Sequence, residues 1–319
     1  MEHFVGVLRL PYVLGCLVWA LVLTALAIVI VPPANLPVTS VLGTFLAFYL
    51  FYFPRYARTK LDMFQRTVLR LLPKGDEEFR DLFGRISILR DQIILWIVVF
   101  ALFSIALFGS PGPSAVQTVL PGGTALADVL GSITTAAYAL PLSQLVWIFY
   151  GFSRGVHRMG GSALQLQPYY KDRWLGLKPV GAISLSMGTG YFVIVGTFLV
   201  LDLISPQPSG FFLLFLGLVA LGVGLFFLPS TKLHQRMVER KELEMASLNN
   251  QLDMAFQKGG GGDAQTNAYQ LRFLEMTEKK VNSIATWPFD AGILARLSGI
   301  ILSVIAILLS AAIRAILKF

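Results

Sequence analysis

The sequence predicts an all-α, polytopic membrane protein with seven transmembrane helices, and three observations carry that reading. First, the 319 residues are 55% hydrophobic and only 14% charged, against about 25% charged in soluble domains; the mean hydropathy is +0.68. Second, the apolar residues gather in seven blocks, each long enough to cross a hydrocarbon core about 30 Å thick. Third, the 26 Lys and Arg fall almost entirely in alternate loops. A soluble enzyme with one core, a disordered regulator and a disulfide scaffold are excluded. The single cysteine, Cys16, lies inside the first block and has no intrachain partner.

The expected spans are 12–32, 36–53, 92–109, 126–152, 180–204, 211–229 and 289–317. Proline sets most of their limits, because it removes a backbone donor and clashes with the preceding turn. Pro11 opens the first and Pro32-Pro33 closes it; Pro54 should end the second. Pro206 and Pro208 separate the fifth from the sixth, and Pro229 should end the sixth. The first block follows one cation, Arg9, and ends in Val-Pro-Pro, so it reads as a retained span and not a cleaved leader.

Orientation follows from the cations. Segment 54–91 holds nine, 151–180 holds five and 231–296 holds nine; with Arg9 that makes 24 of 26, while loops 33–35, 110–124 and 205–210 hold none. The positive-inside rule places the N-terminus inside and the C-terminus outside, opposite to a G-protein-coupled receptor. The net charge of +8 is thereby a topology signal, with the lipid bilayer and not nucleic acid as partner, in a multi-pass protein of the cell membrane.

Three parts result: a six-helix membrane domain (1–229), a cytoplasmic helical hairpin that would anchor subunits (230–288) and a seventh helix, the candidate pore helix (289–319). In loop 54–91, Phe79, Leu82, Phe83 and Ile86 have helical spacing, which predicts an amphipathic helix on the inner leaflet or on the hairpin. From Thr231 to Gln257 an apolar stripe runs through Met245, Leu248, Leu252 and Phe256; after Gly259–Gly262 a second stripe runs through Leu271, Leu274, Val281 and Ala285. The hairpin either packs only on itself or, because these stripes are too narrow to bury two helices fully, places Leu248, Leu252, Leu271 and Leu274 at a subunit interface, the reading preferred here. Trp287-Pro288-Phe289-Asp290 should break the chain before the last span.

No HExxH, CxxC or GxxxxGK[ST] motif occurs and the three histidines lie far apart, so catalysis, a metal and a cofactor are not expected. Two polar patterns lie inside the spans. Asp128, Ser132, Thr135 and Tyr138 share nearly one face of the fourth, giving either a ligand cavity or interhelical hydrogen bonds. In the last helix, Gly292, Arg296, Gly299, Ser303, Ala306, Ser310 and Arg314 recur at steps of three and four. Such a stripe is either a close-packed helix interface or a narrow pore lining, with Arg296, Gly299, Ser303, Ala306, Ser310 and Arg314 facing the lumen.

This layout resembles the seven-transmembrane ion-channel superfamily that includes insect odorant and gustatory receptors, and Glu275–Leu309 also looks like uncharacterised prokaryotic membrane proteins. The matching features are the inside N-terminus, seven spans, a long extension after the sixth at 230–257, and a last helix split at Trp287-Pro288. The resemblance implies a homotetrameric, ligand-gated, cation-conducting channel, with 264–286 anchoring the subunits and 289–319 lining the pore. A small-molecule ligand would be a further partner. The alternative is a non-conducting receptor or scaffold whose hairpin docks a partner. A transporter ranks last, because neither repeats nor midplane charges are found.

Overall fold

The computed structural model describes residues 10–30, 36–84, 89–108, 124–204, 211–258 and 264–317, together with Val5. Their regular elements are all helical: α1 (Tyr12–Ile30), α2 (Leu36–Val68), α3 (Asp76–Phe83), α4 (Leu89–Phe108), α5 (Thr124–Gly161), α6 (Lys178–Ile204), α7 (Phe211–Phe227), α8 (Thr231–Lys258), α9 (Ala264–Asn282) and α10 (Ala291–Leu317). Five helical stretches are long and apolar enough to cross a membrane: Pro37–Leu71, Ser132–Gly161, Lys178–Leu201, Phe215–Gln257 and Ala291–Ser310. Over their described residues the apolar helices of α1 and α4 are shorter, at Tyr12–Ile28 and Asp91–Ala101.

One proline does not act as expected. Pro54 lies inside α2, which continues to Val68. An interior proline costs about 3 kcal/mol, but Phe53, Ala57, Phe64 and Val68 on either side of it are buried in the main core. Burying a large apolar side chain returns roughly 1.5–3 kcal/mol each, so tertiary packing overrides the local preference. Pro229 does close the sixth span, because α7 ends at Phe227 just before it. It sits in one 3₁₀ turn, Leu228–Ser230, between α7 and α8, where a missing N–H is cheap. The hairpin therefore grows directly out of α7.

The amphipathic helix of loop 54–91 forms as α3, and its apolar face is taken up by α2 and α5. Phe79, Leu82 and Phe83 are buried. The Phe64 ring of α2 is 6.3 Å from Phe79 and 5.8 Å from Phe83, and the Phe83 ring fills the space above Gly155 of α5, where a Cβ would overlap it. Ile86 lies outside the described residues.

α6 is the central helix, packed against α2, α7 and α10; its apolar window is 61% buried, against 22% for that of α10. Such burial explains its run of small residues: Gly190 lies under the Phe53 ring, an approach that any side chain would prevent. The hairpin closes on itself. Leu248 and Leu274 are buried within the protomer, together with Val281 and, in part, Met245 and Leu252.

Candidate functional site

Two places offer candidate sites: the break between α9 and α10, and the exposed face of α10. The helix stops at Asn282 and restarts at Ala291 on either side of Trp287-Pro288, with Asp290 as the N-cap of α10. One Asp290 oxygen accepts the Ile293 N–H at 2.7 Å, which satisfies a free donor of the first turn. The other lies 3.0 Å from Nζ of Lys178 at the start of α6. The Lys178 ammonium also lies 4.7 Å from the Trp174 ring centre, on whose face Arg173 stacks at 3.9 Å. The Asp172 carboxylate holds this turn by accepting the Trp174 and Gly176 N–H groups at 3.0 and 2.9 Å. The Ala285 N–H then donates to the Arg173 carbonyl at 2.9 Å, tying the end of α9 to the same turn.

On the other side of the break, Trp287 stacks on His234 of α8 with ring centres 4.1 Å apart. It also contacts Phe227 and Phe289, at 6.1 and 5.8 Å. His234 Nδ1 lies 2.7 Å from the Thr286 carbonyl oxygen; a carbonyl only accepts, so Nδ1 carries the hydrogen. At Gly181 of α6 a Cβ would overlap the Pro288 carbonyl oxygen. Thus α6, α8 and α9 together fix where α10 enters the bundle.

The Ile293 amide, and after it Lys178, hold the Asp290 carboxyl below the usual carboxylate range. A depressed acid stabilises the fold above its unfolded pKa, near 3.9, and that contribution is lost as pH falls through the folded value. The thermal midpoint of wild type should therefore exceed that of Asp290→Asn at neutral pH, and the gap should begin to close near pH 4 and vanish below the folded value. A gap that persists in acid would show that the carboxylate charge is not its source.

The face of α10 divides cleanly. Ile293, Leu297, Val304 and Leu308 are buried, against α6 and α7. Gly292, Arg296, Gly299, Ser303, Ala306 and Ser310 are all exposed on the protomer. The Ser303 and Ser310 hydroxyls each donate to the carbonyl four residues earlier, at 2.8 Å. The side chain of Arg314 lies outside the described residues. The bulky Leu302, Leu309 and Ile313 are also exposed, flanking the small stripe.

Comparison with protein-family models, curated proteins and solved structures gives no match.

The other sequence-predicted groups are dispersed. Thr135 is buried and Tyr138 half-buried, with Tyr138 hydrogen-bonded to Thr24 of α1, while Ser132 is exposed. The side chain of Asp128 lies outside the described residues. This placement has the geometry of interhelical hydrogen bonding. On the hairpin, Leu248 and Leu274 are occupied within the chain, Leu252 and Leu271 are half-buried, and the large apolar groups left exposed are others: Phe256, Tyr269, Phe273 and Met276. Sequence reasoning did not find Lys178, Gly181 or the roles of His234 and Asp290. The motif Trp-Pro-Phe-Asp marks the break, but no local pattern signals partners so far away in the chain.

Proposed function

We propose that the protein is a homotetrameric, cation-conducting membrane channel in which α10 lines a central pathway. The observation that carries this reading is the outward-facing stripe from Gly292 to Ser310, all of it exposed on the protomer. A helix in contact only with lipid gains nothing from presenting two serines and an arginine, because polar groups at membrane depth find protein or water. Small side chains let helices meet around an axis, and hydroxyls can solvate an ion. In this reading α1, α2, α4, α5, α6, α7 and α10 are seven spans, with the N-terminus inside, the C-terminus outside and the hairpin cytoplasmic. The break at Trp287-Pro288 is where a gating movement would enter α10, and a small-molecule ligand would supply the stimulus. The tetramer and the preference for cations come from the superfamily resemblance. Rings of Arg296 and Arg314 alone would favour anions, unless their long stems turn the charge to headgroups.

A specific observation keeps the scaffold reading second. Phe256 and Phe273 on the hairpin are 67% and 68% exposed, an apolar surface that either a second subunit or another protein would cover. Mass measurement of the full chain in detergent, followed by planar-bilayer recording, separates the two. Four copies and a current reversing with the cation gradient are expected. A monomer without current would turn the assignment to the scaffold.

A further inference from the structure

The α3–α4–α5 corner holds a groove that none of the foregoing uses, with a volume of about 360 Å³, at the low end for ligand pockets. Ile94, Leu95 and Val98 of α4 line one wall and Trp147 of α5 the other; α4 and α5 are in extensive contact. Phe83, seated over Gly155, lines it as well. Ile94 and Val98 are about half exposed, so the groove opens sideways on an apolar band. Its polar groups are Arg154, Tyr150 and Asp91. Arg154 follows the last residue of the apolar block 126–152 by two positions, and Trp147 and Tyr150 supply the aromatic pair typical of a membrane boundary. The Arg154 guanidinium donates to the Tyr150 hydroxyl at 2.9 Å. That bond turns it back along its own helix to the groove.

We propose that this groove binds one membrane phospholipid with a primary-ammonium headgroup, of the phosphatidylethanolamine type. An acyl chain would lie along Ile94, Val98 and Trp147, the phosphodiester would meet Arg154, and the ammonium would meet Asp91. Charge complementarity selects this occupant. Walls of this kind suit an acyl chain entering from the bilayer. A guanidinium is suited to a phosphate; a carboxylate in the same groove repels a second anionic group but accepts hydrogen bonds from an ammonium. A quaternary headgroup has no N–H to give, and an anionic headgroup would place like charge on Asp91. This inference depends on the apolar helices meeting lipid and not on conduction, so it stands or falls separately from the channel proposal.

Native mass spectrometry of the full chain, stripped of lipid in mild detergent and titrated with defined phospholipids, tests it. One phosphatidylethanolamine per chain is expected, bound at least fivefold more tightly than phosphatidylcholine or phosphatidylglycerol. Arg154→Gln should weaken all three about tenfold. Asp91→Asn should abolish only the preference for the ammonium headgroup. Val98→Trp, at an exposed wall position, should block binding of all three while leaving the melting temperature of the lipid-free protein unchanged. Equal affinity for the three headgroups in wild type, or unchanged binding in Arg154→Gln, would overturn the assignment. Displacement of the lipid by millimolar inorganic phosphate would show that the groove is a soluble-anion site instead.

Discussion

Gly181→Ala is expected to lower the thermal midpoint by several degrees, although alanine is the better helix former. A Cβ at this position would overlap the Pro288 carbonyl oxygen and lie 2.9 Å from the Phe289 ring. A backbone oxygen beside a proline cannot rotate aside, so either α6 or the whole break must move. Overpacking of this kind costs about 1–3 kcal/mol, and each kcal/mol corresponds to roughly 2–4 °C. The effect should pass into α10, because displacing Pro288 also pulls Asp290 from Lys178, its partner at 3.0 Å, and Trp287 from His234. Gly217→Ala is the control. Nothing lies within 4 Å of its added methyl, so it should be neutral or gain up to about 1 kcal/mol from helix propensity. Equal melting of Gly181→Ala and wild type would mean that α6 does not support the entry of α10.

Much of this arrangement is legible in the sequence, and the departures share one cause. Apolar length and the recurrence of small residues along the last helix are local signals, and the helices and the stripe lie where those signals put them. Proline is local too, but at Pro54 the buried run Phe53, Ala57, Phe64 and Val68 outweighs a preference that sequence reading treats as decisive. The hairpin shows the complementary limit. A stripe states that one face will be buried and not against what. Leu248 and Leu274 lie on antiparallel helices joined through Gly259–Gly262, so each stripe supplies cover for the other. Lys178 and Asp290 could not be paired from sequence, because an ion pair at the start of two distant helices leaves no periodic trace. Conversely, Trp-Pro-Phe-Asp marks a break that does form, in line with proline's local preference.

If α10 lines a pore as proposed, Gly299→Phe should leave the protomer intact and abolish the current. No atom lies within 4 Å of the position a Cβ would take at Gly299, and the residue is exposed on the protomer. Within one chain the ring therefore meets no obstacle, and the melting temperature of a monomeric preparation should stay within about 2 °C of wild type, the shift expected from less than 1 kcal/mol. Around a fourfold axis, by contrast, four phenyl rings would enter a lumen that glycine leaves open, and a hydrophobic constriction stops ions by excluding water. Conductance should fall more than tenfold. Cysteine at Ser303, one turn further along the same stripe, gives an independent reading. The only native cysteine, Cys16, is fully buried, so a charged thiol reagent added to Ser303→Cys should modify that position and block the current, whereas wild type should be unaffected. Lipid exposure of α10 predicts the reverse pattern: Gly299→Phe conducts or associates as wild type does, and a membrane-impermeant reagent leaves Ser303→Cys unlabelled. If both hold, the stripe is a lipid-facing or packing surface and α10 is not the pore.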